Sequence, residues 1–262
     1  PRRLNDETRR AWDANAAAWD ERMGVAGNDF HQALIWPAVL RLLDSRPGQR
    51  ILDIACGNGL TSRRLAALGA KVTAFDFSAN LIEKAKERPN TGNRISYHIV
   101  DATNEEQLLS LGKYKFDFAL SNMALFDMAD IETLFRTLPK LLKPNGTFVF
   151  SITHPCFNNS SSNHLIEEWD DGTIHTRYAV KISRYMTSYQ SEGLALRGQV
   201  KPQLYFNRPI QYYMNLGFQN GFIVDGFEER AFPPEYPQTS PLNWGGKFSE
   251  IPPVLIARFH LR

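Results

Sequence analysis

Three aspartates stand at the ends of short hydrophobic runs, and a glycine cluster follows the first of them. Asp53 lies within the stretch ILDIACGNG, Asp76 ends the next run and Asp101 follows the third. A carboxylate at the end of a second strand can accept hydrogen bonds from both hydroxyls of a ribose. Gly57 and Gly59 can adopt positive φ and let a ligand approach the backbone closely. The combination indicates a nucleoside-containing ligand, although Gly-x-Gly alone also occurs in plain strand-to-helix turns.

The spacing of the glycines narrows the class of ligand. Ser62 occupies the position at which the dinucleotide fingerprint G-x-G-x-x-G/A has its third small residue. No G-x-x-x-x-G-K-S/T sequence is present in the loop, which argues against a triphosphate site. An adenosyl ligand without a diphosphate therefore fits the pattern better than NAD or ATP.

Each aspartate also has a structural interpretation that the sequence leaves open. Asp53 could hold the loop amides instead of meeting a cationic group of the ligand. Asp76 could cap the next helix, although Ser78 is the better capping residue. Asp101 could cap the turn that begins near Thr103.

The elements that must position these residues alternate regularly after residue 48. Expected strands are 50–55, 71–75, 94–100, 116–120 and 147–152, and expected helices are 60–68, 79–87, 130–142 and 208–220. The stretches GFIVDGFEE and PPVLIARFHL supply two final strands. The alternation predicts an α/β fold: a Rossmann-like, doubly wound, mostly parallel seven-stranded sheet with helices on both faces. The glycine cluster then lies at the carboxyl edge, where open α/β sheets bind ligands.

Segments outside this alternation are predicted to cover that edge. Trp12, Ala16 and Trp19 stand at helical spacing and 28–44 resembles a second helix, so 1–46 should form a helical N-terminal cover. Residues 157–206 are polar, rich in tyrosine and weakly periodic, which predicts an inserted cap. Residues 1–262 then form one domain whose core is 47–156 and 207–262.

Composition limits the partners and the compartment. Of 262 residues, 43% are hydrophobic and 22% charged, and the formal net charge is +2 without a block of like charge. This charge distribution argues against binding to nucleic acid and against binding to a membrane surface. No apolar stretch approaches the ~18–20 residues of a membrane span, and residues 1–20 do not resemble a signal peptide. The two cysteines, Cys56 and Cys156, favour a reducing cytoplasm.

Four segments together resemble the class I S-adenosylmethionine-dependent methyltransferases. ILDIACGNG, VTAFDFS, VDAT and FDFALSNMAL match the small-molecule enzymes of this family that have a helical N-terminal cover, over 47–156 and more loosely over 207–262. Ala55 stands where the family loop E/D-x-G-x-G-x-G has its first glycine. Asn207 stands where the family motif H-R-P-L-x-x-Y has histidine, so no role is carried over to that position.

The resemblance implies S-adenosyl-L-methionine as the cofactor and assigns its parts to segments. The glycine loop supports the methionine part, the acid after strand two binds the ribose, and the ring that follows packs on the adenine. The acid after strand three meets the adenine amine, the segment after strand four lines the reactive centre, and the N-terminal helix borders the pocket. The corresponding residues are Asp53, Ala55, Gly57, Gly59, Asp76, Phe77, Asp101, Ala102, Ser121, Asn122, Met123 and Trp19. Phe77 and Met123 could equally be core residues.

Methyl transfer from a sulfonium needs alignment of the reacting atoms at ~3–3.5 Å and desolvation more than it needs reactive side chains. A general base is required only if the acceptor must lose a proton. His154, just past the fifth expected strand, is the first candidate because its ordinary pKa of ~6.5 suits proton removal, although it could instead fix the turn that follows. Glu167 and Glu168 are further candidates. No metal site is predicted, since His164 and His175 match no metal-binding spacing.

Aromatic residues in and beside the cap bear on the acceptor. Their faces give apolar contact and attract cations, which predicts a small, apolar or aromatic-containing acceptor methylated on oxygen, nitrogen or carbon. The same rings could simply be the underside of a lid. Arginines spread among them, including Arg184 and Arg197, could grip a carboxylate or diphosphate. The predicted substrate residues are Tyr178, Tyr185, Tyr205, Tyr213 and Arg208.

Two other functions stay open beside that of a methyltransferase. The chain could bind S-adenosylmethionine without transferring its methyl group, because the transfer needs no unique catalytic residue. An NAD-dependent oxidoreductase is the weaker alternative, since the third glycine and a Y-x-x-x-K pair are both missing. The expected partner is a small-molecule acceptor, and the chain is expected to be a monomer or a homodimer.

Overall fold

A computed structural model describes residues 2–89, 93–196 and 198–262. Its helices are α1 (Arg2–Met23), α2 (Trp36–Leu43), α3 (Leu60–Ala67), α4 (Ala79–Glu87), α5 (Glu105–Ser110), α6 (Glu132–Leu141) and α7 (Ile210–Gln219). Its strands are β1 (Arg50–Ile54), β2 (Lys71–Asp76), β3 (Ile95–Ile99), β4 (Phe116–Asn122), β5 (Leu142–Thr153), β6 (Ser162–Asp170), β7 (Ile174–Ile182), β8 (Tyr189–Gly193), β9 (Gln203–Asn207), β10 (Phe222–Arg230) and β11 (Val254–Leu261). A π-helical turn, Phe30–Ile35, leads into α2, and 3₁₀ turns occupy Leu125–Asp127 and Gly246–Phe248.

Seven of these strands form the central sheet, in the order β10-β11-β5-β4-β1-β2-β3. The five strands from β5 to β3 pair in parallel, and β11 runs antiparallel to both β5 and β10. The chain builds outward from β1 first through β2 and β3, then through β4 and β5 on the other side. The order therefore reverses beside β1, and such a reversal opens a crevice at the carboxyl ends of the strands. The predicted Rossmann-like, mostly parallel fold is confirmed.

The sheet is covered on both faces, which explains why its central strands read as continuous apolar runs. Ile51, Leu52 and Ile54 of β1 are all fully buried. Leu52 and Ile54 belong to the hydrophobic cluster that packs under α5, α6 and α7, whereas Ile51 belongs to the cluster under α2 and α3. Because both faces of such a parallel strand are buried, its sequence does not alternate between polar and apolar residues.

The observed elements differ from the expected ones in three places. The strand expected over 147–152 begins already at Leu142, so KPNG lies within β5 as a bulge, since Phe116 pairs with Leu142 but Phe118 pairs with Thr147. Asn145 takes a positive φ of 61° there, which a turn-forming sequence tolerates. The helix expected over 28–44 begins with a π-helical turn. The short helix α5 was not expected, because its six residues span too little of a helical period to be recognised.

Residues 157–206 contain two β-hairpins. β6 pairs with β7, and β8 pairs with β9, both antiparallel. β9 packs against the 3₁₀ turn Leu125–Asp127 that follows β4, and so the second hairpin meets the carboxyl edge of the sheet. We propose that residues 157–206 form a cap inserted in a single domain. Within the described part of the chain, no helix has the length and apolarity needed to cross a bilayer.

Candidate active site

A cavity of about 500 Å³ lies at the carboxyl ends of β1, β2 and β4. Helix α1 and the π-helical turn form one side of its wall, and the cap forms another. Its volume falls within the ~300–1,000 Å³ of small-molecule sites in proteins. The fold thus places a partly open cavity at the edge of the sheet where the sequence placed the glycine cluster.

The loop between β1 and α3 forms the floor of the cavity in a left-handed conformation. Ala55, Gly57 and Gly59 have φ values of 53°, 54° and 72°. A Cβ atom on Gly59 would collide with the ring and hydroxyl of Tyr97, so that position requires glycine for space as well as for φ. Ala55, at the position of the family loop's first glycine, adopts a positive φ and borders the cavity together with Gly57.

Asp76 joins this loop to the end of β2. Its Oδ2 accepts a 2.9 Å hydrogen bond from the backbone of Gly57, and its Oδ1 accepts one of 2.9 Å from that of Ser78. Ser78 itself caps α4 by accepting from Leu81 at 3.2 Å, so capping is not the task of Asp76. Burial raises the pKa of Asp76 to about 6. Its carboxylate borders the cavity and has lone pairs free for a hydroxyl donor.

Asp53 does not border the cavity but lies behind the loop that forms its floor. Ser62 Oγ donates a hydrogen bond to one carboxylate oxygen, which ties β1 to α3. The other oxygen is buried without a partner among the described residues, and burial raises the pKa of Asp53 to about 7. The loop amide of Gly57 bonds to Asp76 instead, so Asp53 does not hold it. Ser62, noted in the sequence only for breaking the dinucleotide fingerprint, is its partner.

Asp101 is held by two elements and borders the cavity. The backbone and hydroxyl of Thr103 each donate to Oδ1 at 2.8 Å, which is the turn cap that the sequence left open. Asn5 of α1 donates to Oδ2 at 2.5 Å. This bond closes α1 over the adenine end of the predicted site, and the sequence gave no signal for Asn5 because a lone polar residue on a helix is usually solvated.

The aromatic cover of the same end comes from α1 and from Phe77, which precedes α4. Trp12 and Trp19 pack edge to face with their ring centroids 5.1 Å apart, against Phe77 and Leu81. All four border the cavity, as does Ala102. Acids with free acceptor capacity, a flat ring and a left-handed loop lie together here, so the residues present fit an adenosyl group.

The end of β4 supplies a second polar cluster. Asn122 accepts a hydrogen bond of 2.5 Å from Ser151 and donates one of 3.1 Å to Thr61, and Asn122 and Met123 both border the cavity. Ser121 does not. It is fully buried in the sheet with its hydroxyl unpartnered among the described residues, because alternate residues of a strand point to opposite faces.

His31 was missed by the sequence analysis, since a single histidine in a helical pattern carries no signal. It borders the cavity and lies 3.5 Å from Thr61 Oγ1 through Nε2. Arg64 lies 3.2 Å from Nδ1 and can only donate, so Nδ1 is the acceptor and Nε2 carries the hydrogen. Burial and Arg64 lower the pKa of His31 to about 4. The site therefore contains a neutral imidazole that donates.

The three predicted catalytic residues, His154, Glu167 and Glu168, do not border this cavity. His154 is 1% exposed, accepts from the backbone of Cys156 at 3.1 Å through Nδ1, and pairs with Glu229 at 2.8 Å through Nε2. Both ring nitrogens are occupied, and burial lowers its pKa. It fixes the turn after β5. Glu167 and Glu168 are exposed on β6, a strand of the outer hairpin.

Of the predicted substrate residues, only Tyr205 borders the cavity. Tyr178 packs on Phe248 with centroids 5.6 Å apart, and the Tyr185 hydroxyl accepts from the backbone of Ile210 at 3.2 Å. Tyr213 is buried in the core beneath the sheet edge. The guanidinium of Arg208 donates to backbone carbonyls at 2.8–3.5 Å. Arg184 stacks on Tyr189, and Arg197 lies outside the described residues.

The fold and the site define a class of protein. The strand order with its antiparallel β11, the glycine loop, and acids at the ends of β2 and β3 are those of a Rossmann-like enzyme that binds an adenosyl cofactor. Residues 52–150 match the methyltransferase-domain family. These matches support the predicted resemblance to the class I S-adenosylmethionine-dependent methyltransferases, with S-adenosyl-L-methionine as the cofactor.

Individual relatives cover different parts of the chain. It is 30% identical to magnesium-protoporphyrin O-methyltransferase of Rhodobacter capsulatus over 55% of this chain and 63% of the relative. It is 40% identical to ubiquinone biosynthesis O-methyltransferase of a Caulobacter species over 39% of this chain and 40% of the relative. The chain thus spans about two fifths to three fifths of these enzymes. A crystal structure of an S-adenosylmethionine-dependent methyltransferase from Mesorhizobium loti matches with a TM-score of 0.66 and 26% identity, over 90% of this chain and all of that one.

Proposed function

We propose that this chain transfers a methyl group from S-adenosyl-L-methionine to a small molecule bound beneath the cap. One observation carries the proposal. A single cavity is bordered at one side by the cofactor residues Asp76 and Asp101, and at another by Tyr205 and Asn207 of β9. A site that only stored the cofactor would not need room that extends to the cap.

The residues of the chain supply binding, orientation and exclusion of water. Asp76 is placed to accept from the ribose hydroxyls, Phe77 to pack on the adenine, and Asp101 to accept from its amine. Asn122 and His31 contribute fixed polar groups near the end of β4, where each is held by its own partners. When bound, the cofactor supplies a methyl group on a positively charged sulfur, an excellent leaving group for an in-line displacement. The protein's part is then mainly alignment, which can lower the barrier by several kcal/mol.

The acceptor is expected to be small and to carry apolar surface. In addition to Tyr205, the rings of Phe30, Phe126 and Trp244 border the cavity, and such rings bind mainly through apolar contact. The named relatives are O-methyltransferases, but the match to the Caulobacter enzyme covers only 39% of this chain. The atom that is methylated in this chain is therefore inferred from the site itself.

Calorimetric titration with S-adenosylhomocysteine and with NAD tests the cofactor, and release of S-adenosylhomocysteine in the presence of acceptor panels tests transfer. We expect binding of the adenosyl compound and turnover with at least one small acceptor. Binding of NAD alone would contradict the whole assignment. Adenosyl binding without turnover on phenols, amines or alkenes would indicate a binding protein that has lost transfer.

A further inference from the structure

Asp127 is a buried carboxylate in the cavity wall that no predicted role uses. It ends the 3₁₀ turn after β4 and is 8% exposed. Its Oδ1 accepts a 3.4 Å hydrogen bond from Gln203, which is itself held by Gln199 at 2.9 Å. Across 2–89, 93–196 and 198–262, no other hydrogen bond or ion pair reaches this carboxylate. Asp127 is held in place without a counter-ion.

The charges around the cavity favour a positively charged ligand. The described wall includes Asp76, Asp101 and Asp127 but neither a lysine nor an arginine. His31 is neutral, and the guanidinium of Arg208 is taken up by the carbonyls of residues 125, 128, 129 and 206. A desolvated carboxylate without a partner is costly, and an arriving cation removes that cost.

Two aromatic rings stand beside this carboxylate. Phe126 and Tyr205 both border the cavity, with centroids 6.1 Å apart and planes inclined at 41°. Burial raises the pKa of the Tyr205 hydroxyl, so the ring stays neutral at physiological pH. Ring faces attract ammonium groups. A carboxylate and two rings, with no basic side chain in the wall, are the features of an ammonium site.

The position of Asp127 points to the acceptor rather than the cofactor. Its hydrogen-bond partner Gln203 and its aromatic neighbour Tyr205 both belong to β9 of the cap. The cofactor acids Asp76 and Asp101 stand instead at the ends of β2 and β3. Asp127 therefore lies between the end of β4 and the cap, where an acceptor would enter.

Resting on the proposed function, we propose that the acceptor is an amine, bound as its ammonium ion by Asp127 and the rings of Phe126 and Tyr205. Asp127 then takes the proton that the nitrogen must lose before it attacks the methyl group. In that step the N–H bond of the ammonium breaks, its electron pair stays on nitrogen, and a carboxylate oxygen of Asp127 gains the proton. Two opposite charges become two neutral groups, a change that burial favours. Consistently, burial raises the pKa of Asp127 well above its ordinary value.

Two kinds of comparison test this proposal: amine acceptors against oxygen acceptors, and the unchanged protein against Asp127→Asn, in which a neutral amide replaces the carboxylate. Phenethylamine and tyramine are compared with 2-phenylethanol and catechol, by calorimetric binding to the protein saturated with S-adenosylhomocysteine and by turnover with S-adenosylmethionine. We expect the amines to bind, and Asp127→Asn to weaken their binding about tenfold or more while S-adenosylhomocysteine affinity changes by less than about twofold. Glu235→Gln, a change at an exposed carboxylate outside the cavity wall, should alter neither.

The outcomes separate this proposal from the proposed function. Turnover of the oxygen acceptors without binding of either amine overturns the amine and leaves the methyltransferase standing. Equal loss of amine and S-adenosylhomocysteine affinity in Asp127→Asn assigns Asp127 to the cofactor and overturns its role with the acceptor. Failure of the unchanged protein to bind S-adenosylhomocysteine at all refutes the proposed function itself.

Discussion

The backbone amide of Gly57 donates a 2.9 Å hydrogen bond to the carboxylate of Asp76, which joins the loop after β1 to the end of β2. The two residues come from different strands and meet because β1 and β2 are parallel neighbours whose carboxyl ends lie at one edge. The bond fixes the floor of the cavity and orients the acid that we propose binds the ribose.

Replacing Asp76 tests the cofactor site. Asp76→Ala removes the acceptor for the ribose hydroxyls and for Gly57, so S-adenosylhomocysteine binding should weaken by about 1–3 kcal/mol, the range for lost hydrogen bonds to a charged group. Calorimetry measures this, with Glu235→Gln as the control. Unchanged affinity in a folded Asp76→Ala protein would refute the ribose role.

Replacing Gly59 tests why the loop needs glycine. Gly59 and Gly172 both have positive φ, but a Cβ at Gly59 meets Tyr97 whereas one at Gly172 has open space around it. Gly59→Ala should therefore reduce the free energy of unfolding by about 1–3 kcal/mol more than Gly172→Ala does. Denaturant unfolding of the two variants gives the difference, and adding Tyr97→Phe should recover part of it. Equal losses would show that φ strain alone matters.

The buried acids should make stability depend on pH. Burial raises the pKa of Asp53 from 3.8 to about 7, so between these pH values the folded protein holds a proton that the unfolded chain has lost. The contribution of Asp53 to the free energy of unfolding is thus complete below about pH 4 and falls as the pH rises to about 7.

Comparison with Asp53→Asn isolates this effect from other carboxylates. Between pH 5 and pH 7.5 the unchanged protein should lose about 1–3 kcal/mol more stability than the variant, since each unit of pKa shift corresponds to about 1.4 kcal/mol. Denaturant unfolding at both pH values measures it. Parallel pH profiles for the two proteins would contradict the raised pKa.

His154 is expected to matter for stability and not for proton transfer. His154→Ala leaves the amide of Cys156 and the carboxylate of Glu229 without their partner, so thermal unfolding should occur several degrees lower, at ~2–4 °C per kcal/mol. Turnover per folded molecule should stay within about twofold. A large loss of turnover at full stability and full cofactor affinity would restore His154 as a base.

The sequence by itself determined the fold and predicted the cofactor end of the site. Continuous apolar runs alternating with helical patterns leave few arrangements other than a doubly wound parallel sheet. In that sheet, residues that follow consecutive strands must share the carboxyl edge. Asp76, Asp101 and Gly57 could therefore be placed by local spacing alone.

The tertiary structure decided which side chains reach the acceptor end, because contacts between distant segments carry no local signal. His154 stands one residue beyond a wall residue of the cavity, yet its side chain turns to Glu229, which lies far along the chain. Asp127 has no distinguishing signal in the sequence, but in the structure β9 brings Gln203 to its carboxylate and Tyr205 to the neighbouring Phe126. The donor site follows from strand order, whereas the acceptor site depends on how the cap folds back over β4, and only packing fixes that.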